Sequence, residues 1–138
     1  MGNEISINKV GYEDVQYAIN KGYLIINTLP ISKQNCLIKN TIDYNKEESI
    51  VNNLINELKS NATIIIYGEN SLDLSVIDKY KKLSQFGFNN IHIYSSGLFE
   101  WLLLQDIYGS DNFPTTSQEL DILKFRTNCK LGKKYIEI

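Results

Sequence analysis

The stretch "IIIYGENSLDLS", residues 64–75, joins a strand pattern to a loop and to the start of a helix pattern. Residues 64–67 are uniformly apolar and mostly β-branched, which is typical of a strand buried on both faces of a sheet. Gly68 and several polar residues follow, and a helical pattern begins near Asp73. Ligands of parallel α/β sheets bind beyond the carboxyl ends of the strands. The loop after residue 67 is therefore the predicted functional site.

Strand-like and helix-like segments alternate along the chain. Strands are predicted at residues 5–10, 23–27, 37–42, 62–67 and 91–94. Helices are predicted at residues 12–20, 47–59, 73–86 and 97–108, followed by a loop, one helical turn capped by Ser117, and a tail. This alternation predicts an α/β fold with a mostly parallel sheet of four to five strands and helices on both faces.

Composition limits the classes of function. Net charge is −2, with 14 basic against 16 acidic residues, so nothing favours nucleic acid as a partner. No apolar run is long enough to span a membrane, and no secretory signal is evident. Two cysteines and one histidine do not have the spacing of a zinc site, so no metal and no cofactor are expected. A cytoplasmic location is the default expectation.

The first residues, "MGNEIS", match the pattern for myristoylation of Gly2. One myristoyl chain binds membranes only marginally, so stable attachment needs a second signal. The C-terminal stretch supplies basic residues that could attract an anionic leaflet: Lys124, Arg126, Lys130, Lys133 and Lys134. The hypothesis is attachment to the cytoplasmic face of a membrane; the alternative is a chance match and a solvated tail.

Three segments follow one another in the order and spacing of a known family. They are "GYLIINTL" (22–29), the loop stretch 64–75, and "FGFNNIHIYSSGLFEW" (86–101). In the third and most specific, a helix ends in Gly-Phe, Asn precedes a strand, and Gly and then Phe-Glu-Trp follow. Residues 10–107 thereby resemble a rhodanese-like domain, which implies a three-layer fold. We divide the chain into an N-terminal segment (1–9), this domain (10–110) and a C-terminal extension (111–138) that packs on or flanks it.

The resemblance also implies that the reactive groups of the site are missing. In active members a Cys follows the aromatic end of the central strand and carries sulfur as a persulfide, and an Arg closes the loop. Here the Cys position is Gly68, and the Arg position falls near Asp73 or Leu74. The Asp of the earlier strand corresponds to Asn27, and its Arg partner to Leu29.

We therefore predict a degenerate loop with no catalytic residue. It comprises Gly68, Glu69, Asn70, Ser71, Leu72 and Asp73. Glycine cannot carry sulfur, and the two acidic side chains would repel a sulfur oxyanion. Asp73 is predicted to cap the following helix and so to fill the anion site from within. The expected function is a non-catalytic binding or scaffolding module for an unknown protein partner.

Two alternatives to this function stay open. A displaced thiol, Cys36, could act as the nucleophile of a sulfurtransferase, and Cys129 lies beside a lysine in the tail. The loop could instead sense a small anion through its backbone N–H groups. We interpret His92 as a satisfied core or sheet-face residue rather than a catalytic one, and Ser71 and Ser75 as helix caps rather than nucleophiles.

The helix predicted at residues 97–108 is apolar on nearly all sides. One face must meet the sheet, and the opposite face needs another cover. A cover within the chain could come from the segment that includes Phe113, Leu120 and Phe125. Otherwise the helix is a candidate interface with a protein partner or a second copy of the chain, through Leu98, Trp101, Leu102, Leu104 and Tyr108.

Overall fold

The computed structural model describes residues 7–132 and contains one parallel sheet. Its strands are β1 (Lys9–Val10), β2 (Leu24–Asn27), β3 (Ile64–Tyr67) and β4 (Ile91–Tyr94). Their spatial order is β1-β4-β3-β2, and all three pairings are parallel. β3 is therefore central, and all four of its residues are buried, as its uninterrupted apolar run predicts.

Four helices cover the two faces of this sheet. They are α1 (Tyr12–Lys21), α2 (Tyr44–Asn56), α3 (Ser75–Gln85) and α4 (Gly97–Tyr108). α1 and α4 bury Val15 and Trp101 in one core, whereas α2 and α3 bury Val51 and Leu83 in a second core on the other face. The predicted α/β fold, with a parallel sheet between helical layers, is confirmed.

The chain after α4 belongs to the first core. Phe113 and Phe125 are buried with Trp101 in the core that α1 and α4 form. A 3₁₀ turn at Ile122–Phe125 brings Phe125 inward. No helix within residues 7–132 has the length and apolarity needed to cross a membrane. Gly2, Lys133 and Lys134, on which the membrane hypothesis partly depends, lie outside the described residues.

Two predicted elements are wrong. Residues 37–42 form no strand and make only single bridges, from Ile38 to Thr115 and from Thr41 to Ile25. Asn40 adopts a left-handed conformation (φ 68°), which interrupts an extended run. Ser117 does not cap a helical turn, because its hydroxyl donates to the Asn35 carbonyl oxygen at 2.7 Å.

Candidate functional site

The loop after β3 is fixed by the N-terminus of α4. The backbone N–H groups of Leu98 and Phe99 donate to the carbonyl oxygens of Gly68 and Glu69, each at 2.9 Å. Gly97 makes this approach possible, because a Cβ there would lie 2.7 Å from the Gly68 carbonyl oxygen. Its φ of 71° also favours glycine. The free N–H groups at the start of α4 are thus used to hold the loop.

The Asp73 carboxylate lies inside the loop. One oxygen, Oδ2, accepts from the Glu69 backbone N–H at 2.9 Å, and the other, Oδ1, accepts from the Ser75 N–H at 3.0 Å. The Ser75 hydroxyl is also 2.6 Å from Oδ1. A Cβ at buried Gly68 would lie 2.3 Å from Asp73 Oδ2. The carboxylate therefore occupies the space that a side chain at residue 68 would need.

A lysine and the C-terminal segment cover the outer side of the loop. Lys33 forms an ion pair with Glu69 at 2.6 Å and donates to the Lys124 carbonyl oxygen at 3.2 Å. The Asn70 side-chain amide donates to the carbonyl oxygens of Phe125 (2.9 Å) and Arg126 (3.2 Å). We call these contacts the C-terminal clasp. Lys33 neutralises Glu69, one of the two acidic side chains expected from the sequence to repel a sulfur oxyanion.

The remaining loop residues support the turn. Leu72 donates its backbone N–H to the Asn70 side-chain oxygen at 3.0 Å, and Ser71 is exposed. α3 begins at Ser75, two residues later than predicted, and the Asp73 carboxylate of the preceding turn accepts from the backbone N–H groups of Glu69 and Ser75. The sequence predicted the role of the Asp73 carboxylate. It did not predict the pairing of Lys33 with Glu69, because the two residues are 36 positions apart and no short motif links them.

The turn after β2 is held by a neutral hydrogen-bonded cluster. Asn27 is buried, and its side-chain oxygen accepts from the Leu29 backbone N–H at 3.0 Å. The same oxygen accepts from the Gln34 side chain at 2.8 Å. Gln34 also donates to the Leu29 carbonyl oxygen at 3.0 Å. These side chains stabilise the turn after β2 and bring no charge to the site.

The two thiols lie in different surroundings. Cys36 is buried, and its Sγ is 3.3 Å from the Ser117 carbonyl oxygen. Burial raises the pKa of this thiol, although nearby Thr115 and Ser117 partly offset the effect. Cys129 is exposed, and its thiol donates to the Gly132 carbonyl oxygen. Among residues 7–132, no group of three or more His, Cys, Asp and Glu side chains is arranged to hold a metal ion.

The lone histidine lies in β4 and pairs locally. His92 Nε2 is 2.7 Å from the Asn90 side-chain oxygen. Its neighbours Ile91 and Ile93 are buried, whereas His92 itself is half-buried. This is the arrangement expected of a residue on a sheet face.

Three of the five candidate interface residues on α4 lie in the core. Leu98, Trp101 and Leu102 are at most 1% exposed, Leu104 is half-buried, and Tyr108 is 63% exposed. The cover comes from the same chain, because the Phe113 ring lies 5.1 Å from Trp101 and the indole N–H donates to the Pro114 carbonyl oxygen. The exposed apolar side chains of α4 are instead Leu103, Ile107 and Tyr108.

Neither a family model nor a curated protein matches this sequence. Solved structures do match. The Alr3790 protein from Anabaena sp. aligns with a TM-score of 0.56 and 18% identity, over 83% of this chain and 86% of that one. The solution structure of the rhodanese-like domain of Alr3790 aligns with a TM-score of 0.54 and 17% identity, over 96% and 93%.

A yeast protein is similar to the same degree. Ygr203w, described as a protein tyrosine phosphatase of the rhodanese family, aligns with a TM-score of 0.55 and 12% identity, over 86% of this chain and 99% of that one. At such low identity these similarities establish the fold of this chain, but they do not show that it shares an activity with those proteins. The chain described here has a rhodanese-like fold.

Proposed function

We propose that this chain is a non-catalytic binding module built on a rhodanese-like fold, with its former substrate loop filled by its own Asp73. One observation carries the proposal: a Cβ at residue 68 would lie 2.3 Å from Asp73 Oδ2. A cysteine there would have to displace a carboxylate that already accepts hydrogen bonds from Glu69 and Ser75.

The chemistry of sulfur transfer supports this proposal. A sulfur-carrying cysteine needs a low pKa, which oriented backbone N–H groups and positive charge provide. In this loop the N–H groups of Glu69 and Ser75 already donate to a carboxylate, and Lys33 is engaged by Glu69. Phosphate transfer through a cysteine would need the same position. The arrangement also disfavours a small-anion sensor, because the anion site holds an internal anion.

A displaced thiol is a poor substitute. Burial raises the pKa of Cys36, which lowers the fraction of thiolate available to attack a substrate. The exposed Cys129 has its thiol engaged with Gly132 rather than with a base or a basic side chain. We therefore expect neither cysteine to carry sulfur.

The first test is an assay of sulfur transfer from thiosulfate to cyanide, with intact-mass analysis of the protein afterwards. We expect no turnover above the buffer rate and no added sulfur. Turnover that Cys36→Ser abolishes, or a persulfide trapped on either cysteine, would overturn the proposal. Cys129→Ser is the matched control, because it removes the exposed thiol and leaves Cys36 in place.

The second test asks whether Asp73 is what closes the loop. Gly68→Cys alone should give a strained protein with a slowly alkylated thiol, because its side chain competes with Asp73 for one space. The double variant Gly68→Cys with Asp73→Ala should react faster and at lower pH, since the loop amides are then free to stabilise a thiolate. Equal alkylation profiles for the two variants would contradict the proposal.

Membrane attachment through Gly2 is a separable part of the proposal. It is supported by the N-terminal motif and by basic residues near the C-terminus. Co-expression with an N-myristoyltransferase should add the mass of one acyl chain, and Gly2→Ala should abolish the addition. The acylated protein should then bind vesicles containing an anionic lipid more strongly than neutral vesicles. An unacylated product would remove this part and leave the binding module unaffected.

A further inference from the structure

The outer side of α4 carries apolar side chains that nothing in residues 7–132 covers. Leu103 and Ile107 lie one helical turn apart and are 40% and 69% exposed. Tyr108 follows Ile107, and its ring lies 6.3 Å from that of Phe113. Tyr12 of α1 lies 5.5 Å from the same Phe113 ring, so the two exposed tyrosines meet at one buried residue. We call Leu103, Ile107, Tyr108 and Tyr12 the α4 patch.

The chain that forms and surrounds α4 has an unusual charge pattern. Residues 83–123 contain five acidic residues and no Lys or Arg. Glu100 accepts from the Tyr94 hydroxyl at 2.6 Å, and Glu119 forms an ion pair with Lys124 at 3.2 Å. In the part of the chain that the structure describes, the side chains of the other three have neither an ion pair nor a hydrogen bond: Asp106, Asp111 and Asp121.

Two of these unpaired carboxylates border the α4 patch. Asp106 follows Leu103 by three residues and immediately precedes Ile107, so helical geometry places it beside Leu103 on the surface of α4. Asp111 is exposed and lies in the turn 109–113, which ends α4 and carries the Phe113 ring against Tyr108. The border of the patch therefore carries negative charge that the chain itself does not neutralise.

A groove adjoins the patch on the Asp106 side. It lies between α4 and residues 114–122 and has a volume of about 690 Å³. Its charged lining residues are Asp106 and Glu119, of which Glu119 is already paired with Lys124. Leu120, on the opposite wall, is 82% exposed. The groove thus suits a long basic side chain, whose apolar stem packs along the wall while its charge meets Asp106.

The negative border argues against two other occupants of the patch. A second copy of the chain would bring the same carboxylates towards one another, and like charges facing each other across an interface are unfavourable. An anionic membrane would be repelled by these carboxylates, and residues 83–123 supply no Lys or Arg to attract it. A partner with both an apolar face and positive charge meets neither objection.

From the exposed apolar stripe, its acidic border and the adjoining groove we propose that the α4 patch docks a basic amphipathic helix of a protein partner. Apolar side chains of that helix pack on Leu103, Ile107 and Tyr108, and its Lys or Arg side chains pair with Asp106 and Asp111. α4 has 12 residues, which a partner helix of about three turns would match.

This inference names the partner of the binding module proposed above and rests on that proposed function. The two can fail separately, because the sulfur-transfer assay does not depend on the α4 patch. Loss of the partner would leave the chain non-catalytic, and a persulfide on either cysteine would leave the binding data unchanged.

A designed peptide is the first probe. It has about 14 residues, or about four helical turns, with leucines on one helix face and lysines elsewhere. A second peptide replaces every lysine with glutamate, and a third keeps the composition but scrambles the order so that no apolar face forms. Fluorescence anisotropy with the full chain should show saturable binding of the first peptide that weakens as salt is raised. Each of the others should bind at least roughly tenfold more weakly, because it lacks either the charge or the apolar face.

A pair of apolar variants assigns the binding to the patch. Leu103→Ser with Ile107→Ser should weaken the lysine peptide roughly tenfold or more, because it removes the centre of the apolar surface. Ile31→Ser with Leu74→Ser is the matched control, since both residues are 74% exposed and lie outside the patch. Urea denaturation would establish that both double variants remain folded.

A pair of charge variants tests the acidic border. Asp106→Asn with Asp111→Asn should weaken the lysine peptide roughly fivefold and reduce its salt dependence. Glu48→Gln with Asp78→Asn changes the net charge equally on α2 and α3, and should have little effect.

Several results would overturn the proposal. They are equal binding of the three peptides, no saturable binding of the lysine peptide, and equal losses in a patch variant and its control. Self-association of the chain, or binding of the unacylated chain to anionic vesicles, would also overturn it if Leu103→Ser with Ile107→Ser abolished that behaviour. The patch would then belong to a second copy or to a membrane.

Discussion

At the scale of single residues, Gly97 joins α4 to the loop after β3. A Cβ there would lie 2.7 Å from the Gly68 carbonyl oxygen and 2.8 Å from the Asn70 backbone nitrogen. Both of these are backbone atoms, which cannot rotate away as the end of a side chain could. The φ of 71° imposes a second and independent penalty on any residue other than glycine.

We therefore predict that Gly97→Ala destabilises the protein by roughly 2–5 kcal/mol. About 1–2 kcal/mol comes from the left-handed conformation, and about 1–3 kcal/mol comes from overpacking against the loop. Urea denaturation at neutral pH measures the sum. The loop should also become more open to hydrogen exchange, because Leu98 and Phe99 can no longer donate to it without distortion.

Two other glycines separate these contributions. Gly87 has a φ of 100° but open space around it, so Gly87→Ala should cost only the conformational part, about 1–2 kcal/mol. Gly132 has open space and no such backbone constraint, so Gly132→Ala should stay within about 0.5 kcal/mol of the parent. If Gly97→Ala and Gly87→Ala lost equal stability, the close contact between residue 97 and the backbone of residues 68–70 would not contribute to the cost.

At the scale of elements, sequence patterns located the central strands well. The bounds of β4 and α4 agree with the prediction, because a β-branched run and flanking glycines mark them clearly. The segment 37–42 was misassigned because its apolar residues Leu37 and Ile38 are buried in the core without forming a strand. The Ile38 N–H binds the Tyr67 hydroxyl, and the Leu37 N–H binds the Thr116 hydroxyl. Such distant partners leave no periodic signal in the sequence.

The C-terminal clasp was predictable only in part. The sequence indicated that residues near Phe113 and Phe125 could cover α4, because an apolar helix needs a second cover. It did not indicate that the same segment would reach the loop after β3 through Asn70 and Lys33. Those contacts use backbone carbonyl oxygens, which every residue has, so residue types cannot reveal them.

We predict that Phe125→Ala costs about 3–5 kcal/mol, the usual loss for a buried Phe. Phe125 is 1% exposed and lies in the core that α1 and α4 share. Its loss should also release the clasp, so the amides of residues 69–75 should exchange faster. Leu131→Ala is the control, because Leu131 is fully exposed and its truncation should change stability by less than about 0.5 kcal/mol. If the amides of residues 69–75 exchanged at the same rate in Phe125→Ala as in the parent, Phe125 would not hold the C-terminal clasp on the loop.

At the scale of the whole molecule, two buried tyrosines make stability depend on alkaline pH. Tyr67 ends β3 and Tyr94 ends β4, and the two are register partners in the sheet. Burial raises the pKa of Tyr67 above its ordinary value, although hydrogen bonds with Thr41 and Ile38 partly oppose the shift. Burial also raises the pKa of Tyr94, and its hydrogen bond to the Glu100 carboxylate raises it further.

Because the pKa values of both tyrosines are raised in the folded protein, stability falls as pH rises. The folded protein keeps both phenols protonated at a pH where the unfolded chain, whose tyrosines titrate near about 10, has released those protons. The stability is therefore fully present below about pH 10 and is lost as pH rises above it. Each retained proton steepens the decline by about 1.4 kcal/mol per pH unit. The raised pKa of Cys36 adds an earlier decline above about pH 8.5.

We predict that Tyr67→Phe makes the decline above about pH 10 shallower by about 1.4 kcal/mol per pH unit, because one retained proton is removed. At neutral pH the same variant should lose about 1–3 kcal/mol, since the buried Ile38 N–H loses its acceptor, the Tyr67 hydroxyl. Urea denaturation at a series of pH values gives both quantities, and the curves of variant and parent should converge as pH rises. Tyr17→Phe is the control, because Tyr17 is 54% exposed and its removal should leave the slope unchanged. Parallel curves for Tyr67→Phe and the parent would mean that the phenol ionises as freely in the folded protein as in the unfolded chain.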